Sequence, residues 1–286
     1  MLPRGAVGDS WPGEVASGDT MSPVGIYRAL DTTVELTAPA AGAAALRSSF
    51  ADLAASLEVP AEHRLVLSRR WSGRWSTRLD GVGRVSGRAP AALVDISRAV
   101  NEVAAESVAA THTVLTASAV DFSGRAVVFV GPRHSGKSTL TAAAALSGRR
   151  YLADEVVAID PAETVRPFHR PTRLRAIEAE RLGVAAPVGD DDVVSLRLGD
   201  LVPLSPGAPV SLIVVLARHA DATVVLPLEP AALLVQLANQ AVRFHGSERI
   251  MFRRFEALVN KVPAILLMHH NRSEALAHVE RALAKV

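Results

Sequence analysis

Cysteine is absent from this 286-residue chain, which removes disulfides, thiolate metal sites, iron–sulfur clusters and cysteine nucleophiles together and fits a reducing compartment. Long hydrophobic runs are missing too. The longest, Leu212 to Ala217, falls far short of the roughly 20 residues of a membrane helix and reads as a core strand. Gly8, Asp9, Trp11, Pro12 and Gly13 interrupt any apolar stretch near the start, so no export signal is expected and a cytoplasmic location is. Lysine is scarce: Lys137, Lys261 and Lys285 are the only three. With a formal net charge of +2 and no basic stripe interleaved with aromatics, neither nucleic acid nor a membrane is expected as a partner.

What is present suits a folded protein, with 49% hydrophobic and 21% charged residues. Residues 1–22 are rich in Gly, Pro, Ser and Asp without apolar periodicity and read as a disordered tail. Hydrophobic spacing then predicts a strand over 24–36, a helix over 44–57, a strand pair turning at Gly73, and a helix over 91–109 carried by Leu93, Ile96, Val100, Val103 and Val108. A strand over 114–120, a turn at Asp121 to Gly124 and a strand over 125–130 form a hairpin. Further strands are expected at 150–153, 156–159, 210–216, 223–226 and 264–268, and helices at 138–146, 231–241, 248–259 and the C-terminus, while Pro203 to Pro209 resembles a linker. Such alternation predicts an α/β fold, divided here into an N-terminal α/β domain over 23–110 and a larger domain over 111–286.

The segment Gly131-Pro132-Arg133-His134-Ser135-Gly136-Lys137-Ser138 fits G-x-x-x-x-G-K-[ST], with an apolar strand before it and the helix expected over 138–146 leading on through Thr139. Gly131 and Gly136 let the backbone curl around phosphates, and the N–H groups from His134 to Thr139 face them at the helix N-terminus. Lys137 is expected to bridge the β- and γ-phosphates and Ser138 to ligate magnesium. The bland alternative is a glycine-rich turn capping a helix. At ordinary residue frequencies the motif arises by chance in about one chain of this length in a hundred, and its flanks reduce that further. ATP and Mg2+ are the expected cofactors.

Asp154-Glu155 ends the strand after the P-loop helix, as Gly131 ends the strand before it. If the two strands are parallel, both sites open at the carboxyl edge of one sheet, where ligands of open α/β folds collect. Magnesium-dependent transfer to an alcohol needs an acid on the metal side and a carboxylate to orient or accept the hydroxyl proton. A merely solvated acidic strand end is the competing reading.

From Leu115 to Asp160 the text LTASAVDFSGRAVVFVGPRHSGKSTLTAAAALSGRRYLADEVVAID resembles the core of the HPr serine kinase/phosphorylase family and its relatives in peptide-modification gene clusters. The resemblance implies a P-loop core of the HPr kinase type with a smaller N-terminal domain, acting on a serine-type hydroxyl of a peptide or small protein. By position it implies that Asp154 is the catalytic carboxylate and that Glu155 is a metal-side acid, although the family usually has aspartate there. Thr116 stands where the family has a histidine on the strand before the P-loop, which puts the reverse reaction in doubt. His112 and His134 lie near in sequence but not at that position. Glu178, Asp190, Asp191 and Asp192 are candidates for a further metal-side acid, and Arg170 and Arg173 for phosphate contacts.

Two other readings stay open: a kinase of a small-molecule alcohol, and a nucleotide-binding regulator without turnover. His269-His270-Asn271-Arg272 reads as a surface turn and helix cap rather than a metal site, because adjacent strand histidines point to opposite faces. The mixed-charge helix around Arg249, Arg253, Arg254 and Glu256 reads as a solvated or oligomer-facing surface, leaving a homo-oligomer open.

Overall fold

The computed structural model describes residues 21–69, 72–84, 87–184, 193–218, 221–242 and 248–286. The first sheet has five strands in chain order: β1 (Met21–Ala29), β2 (Thr32–Pro39), β3 (His63–Arg69), β4 (Trp75–Leu79) and β5 (Val82–Arg84). All neighbours are antiparallel except β2 and β3. The single strand expected over 24–36 is thus two, turning at Leu30-Asp31, where Leu30 takes a φ of 58°. Helix α1 (Ala40–Ser49) follows β2, and α2 (Ala89–Val108) leads out of the sheet. Of the expected tail, residues 1–20 lie outside the described residues, and Met21 and Ser22 belong to β1.

The second sheet has nine strands. In chain order its elements begin with β6 (Thr113–Leu115), β7 (Ser118–Asp121), β8 (Ala126–Val130), α3 (Lys137–Leu146), β9 (Arg150–Asp154), β10 (Val157–Ile159) and β11 (Thr164–Val165). A separate two-stranded ribbon of β12 (Thr172–Arg175) and β13 (Val193–Leu196) flanks the short α4 (Ala176–Arg181). The second sheet resumes with β14 (Ala208–Arg218) and β15 (Val224–Pro227); α5 (Pro230–Gln240), α6 (Glu248–Lys261), β16 (Ala264–His269) and α7 (Arg272–Leu283) complete the chain. Along the edge the order is β6-β10-β11-β14-β8-β7-β9, with β16 on β14 and β15 on β16.

The alternation of β8 explains its central place. Ala126, Val128 and Val130 join the core shared with α2, α5 and α6, while Val127 and Phe129 join the core under α3 and α7. A strand buried on both faces needs apolar residues at every position, as β8 and the Leu212–Leu216 stretch of β14 have. The β7–β8 hairpin turns through Ser123 (φ 57°) and Gly124 (φ 87°), two adjacent positive φ values that match the twist of the strands. Gly124 N–H donates to Asp121 Oδ1 at 2.6 Å.

Both β8 and β9 pair antiparallel with β7, so they run in the same direction. Phe129 and Asp154 sit opposite the same residue, Ser118, which brings the ends of β8 and β9 to one edge. β14 and β16 run parallel to β8 and end there too. The segment expected as a linker is packed instead: Ser205 N–H donates to Tyr151 O at 2.9 Å, and Ser205 Oγ to Asp121 Oδ2 at 2.8 Å. Among the described residues, no helix is long and apolar enough to cross a membrane.

Candidate functional site

The loop from Gly131 to Ser138 is shaped by three residues of positive φ: Gly131 (144°), His134 (64°) and Gly136 (101°). A Cβ on Gly131 would lie 2.6 Å from the Leu216 carbonyl oxygen of β14, so no other residue fits there. Neighbouring strand ends brace the loop. Arg218 Nε donates to His134 O at 2.8 Å, and His269 Nε2 lies 3.1 Å from Ser135 O as its donor. Burial lowers the His269 pKa, chiefly through desolvation, which keeps the ring neutral with its single proton on Nε2. With its side-chain nitrogen turned toward the loop, Gln240 of α5 donates to Gly131 O at 3.1 Å and Thr116 O at 3.3 Å.

Lys137 folds back over this loop, donating from Nζ to Gly131 O (2.8 Å) and Pro132 O (3.0 Å). Desolvation lowers its pKa, with the Asp154 charge opposing the shift. The helix it opens, α3, is alanine-rich, which favours helix and allows close approach to the sheet. Ser138 in its first turn donates from Oγ to Asp154 Oδ1 at 3.0 Å.

Asp154 is fully buried. Its Oδ1 also accepts from Glu155 N–H at 3.0 Å, while Oδ2 has no hydrogen-bond partner. Its pKa is pushed up to about 6, first by desolvation and then by the neighbouring Glu155 charge, against Arg170 and Ser138. Ordinary carboxylates titrate near 4. This group therefore holds its proton to a higher pH than an ordinary carboxylate does.

Glu155 takes a φ of 65°, which turns its side chain away from the strand. Asn101 Nδ2, from α2, donates to Glu155 Oε2 at 2.9 Å, and Arg170 Nη1 donates to the same oxygen. Desolvation would raise the Glu155 pKa, but Arg170, Arg173 and Asn101 together hold it below the usual value. Arg170 is itself 1% exposed, so it serves as a structural counter-charge rather than an open phosphate contact. Its Nε and Nη2, like Asn101 Oδ1, are buried without partners.

The structure thus brings Lys137, Ser138 and Asp154 together, with Glu155 held beside them by Arg170 and Asn101. Thr116 is exposed between β6 and β7, and its N–H donates to Gln240 O at 2.7 Å. His112 is bonded to Thr111. Glu178 is engaged by Arg181 and Arg272, at 3.0 Å each, and Asp190, Asp191 and Asp192 lie outside the described residues. Among the described residues, no cluster of three or more His, Cys, Asp or Glu is arranged to hold a metal. Asn271 caps α7 by accepting from Glu274 N–H at 3.2 Å, as expected, but His269 is a buried brace and not a surface residue. His269, Arg218, Gln240 and Asn101 escape a reading by motif, since each reaches the loop or its acids from distant sequence.

No protein-family model matches this chain, and no curated protein sequence does. One solved structure that it is similar to is described as the Hpr(Ser) kinase/phosphatase from Coxiella burnetii. The likeness covers 60% of this chain and 88% of that one, at 13% identity and a TM-score of 0.35.

Proposed function

We propose that this protein is an ATP- and magnesium-dependent phosphotransferase of the HPr kinase type, acting on a serine-type hydroxyl of a peptide or small protein. The observation that carries the reading is the 3.0 Å contact between Ser138 Oγ and Asp154 Oδ1. It joins the first turn after a P-loop sequence to a buried carboxylate with one oxygen still unpartnered.

The residues fit a magnesium site. Mg2+ is usually held by one or two protein oxygens together with substrate phosphates, and the Ser138 hydroxyl with Asp154 Oδ1 supplies such a pair. When bound, the ion would neutralise charge on the triphosphate. The loop N–H groups would hold the phosphate oxygens, and Lys137 would exchange its two carbonyl partners for the β- and γ-phosphates. Asp154 Oδ2 takes the acceptor proton as the hydroxyl oxygen attacks the γ-phosphorus. The bond from that phosphorus to the β–γ bridging oxygen breaks, and ADP leaves. Glu155 acts through Asp154, since its charge raises the basicity of that carboxylate.

One observation favours a second reading, a regulator that binds nucleotide without turnover: Glu155, the expected metal-side acid, is already engaged by Arg170 and Asn101. Incubation with γ-labelled ATP and peptides encoded beside the gene, followed by mass spectrometry, separates the two. Label on a serine supports the kinase. Stoichiometric ATP binding with no transfer to any peptide, alcohol or water supports the regulator.

A further inference from the structure

Beside the P-loop lies a cleft of about 380 Å³ lined by residues of four elements. Thr139 comes from the first turn of α3, Arg181 and Glu178 from α4, Arg218 from the end of β14, and His270 and Arg272 from the β16–α7 junction. We infer that this cleft takes the nucleoside end of the bound triphosphate. The inference rests on the P-loop reading above and adds to it the place and chemistry of base and ribose recognition.

The order of strands gives the direction. Along the edge where β9, β8, β14 and β16 end, Asp154 lies on one side of the P-loop strand, with β7 between. β14 and β16 lie on the other side. Two adjacent residues of α3 divide the same way: Ser138 turns to Asp154, whereas Thr139 lines the cleft. A triphosphate whose γ end meets Ser138 and Asp154 must carry its α-phosphate and nucleoside toward Thr139 and the cleft. The acceptor hydroxyl then approaches from the Asp154 side, which excludes the cleft as its site.

The chemistry of the lining agrees. The lining carries three arginines, Arg181, Arg218 and Arg272, and one carboxylate, Glu178. Glu178 accepts from Arg181 Nη1 and Arg272 Nη1, each at 3.0 Å, and Arg272 Nη2 also donates to Arg181 O at 3.3 Å. That bracing fixes the plane of Arg272, and a fixed guanidinium offers a face to a nucleobase and an edge to ribose or phosphate oxygens. His269, which also lines the cleft, is 6% exposed and keeps Nδ1 buried without a partner. The volume lies within the about 300–1,000 Å³ usual for small-ligand sites. The lining is polar apart from Gly136 and Leu140, so the arginine faces are its main surface for a base.

The test compares magnesium tripolyphosphate with a non-hydrolysable ATP analogue on the full chain by calorimetry. The unmodified protein is expected to bind the analogue more tightly. Arg272→Ala is expected to weaken the analogue by about tenfold, the scale of one desolvated cation–π contact, and to leave tripolyphosphate within about twofold. Equal affinity of the unmodified protein for both ligands, or equal loss of both in the variant, overturns the assignment. Photolabelling of the unmodified protein with 8-azido-ATP needs no variant: label on Glu178, Arg181, Arg218 or residues 269–273 supports the cleft, and label confined outside the cleft lining overturns it. Failure of the P-loop reading looks different, because neither tripolyphosphate nor the analogue would then bind at all.

Discussion

The Arg170 guanidinium, buried to 1% exposure, donates to the Glu155 carboxylate, which is 37% exposed. The pair is therefore unequal. Removing the acid strands a cation that has no route to water, whereas removing the cation leaves an anion that can still be hydrated. Stranding a buried charge typically costs about 3–5 kcal/mol, and replacing both partners with apolar or neutral groups costs far less. Glu155→Gln is expected to lower stability in urea unfolding by about 3 kcal/mol, and Arg170→Met in the same chain to restore much of it. Simple addition of the two losses would show that they do not act as a pair.

Asp154 predicts a pH dependence of stability. Its folded-state pKa of about 6 lies above its ordinary value of 3.8, so its contribution is fully present below pH 3.8 and is lost as pH rises through 6. Above that range the buried charge weakens the fold. Asp154→Asn keeps an oxygen for Ser138 and for Glu155 N–H without that charge. The variant is expected to be the more stable protein at pH 8, by up to about 3 kcal/mol, with the gap closing by pH 4. A variant less stable than the parent at pH 8 would contradict the burial of an ionised carboxylate.

His269 should matter to binding through the loop it holds. His269→Ala removes the donor to Ser135 O and is expected to weaken nucleotide binding by about tenfold, the upper range of a net buried hydrogen bond. His269→Gln, which can place a side-chain N–H in the same region, is expected to recover most of that. Titration by fluorescence or calorimetry measures both, and equal losses in the two variants would mean that ring packing, not the hydrogen bond, is what the loop needs.

The candidate site is the most legible part of the chain because its signals are local. Gly131 to Ser138 is one contiguous string, and Asp154 ends a strand whose apolar residues mark it. The shared direction of β8 and β9 is not readable from the sequence, because it depends on β7 running antiparallel between them. Alternation through residues 114–120 hides the break at Thr116, where the chain leaves β6 beside β10 and enters β7 beside β8. Leu30 carries a positive φ without the glycine or asparagine that usually marks such a turn. Arginine is seldom fully buried, so the role of Arg170 could be read only once Glu155 and Asn101 stood beside it. The bracing of the loop by Arg218 and His269 arises from parallel pairing of β14 with β8 and β16, which no spacing in the sequence records.

In the proposed reaction Lys137 and Asp154 serve one transfer in different ways, and paired binding and turnover measurements on Asp154→Asn separate the two roles. Binding of magnesium ATP is expected to stay within a few-fold of the parent, since Lys137, the loop N–H groups and the Ser138 hydroxyl are untouched and the amide keeps one oxygen facing Ser138 on the proposed magnesium side. Phosphoryl transfer to the acceptor should fall by roughly 10²–10⁴, the usual contribution of a positioned general base. Lys137→Ala, measured alongside, should lose both binding and transfer. Full transfer activity in Asp154→Asn, or unimpaired ATP binding and turnover in Lys137→Ala, would rule out these roles.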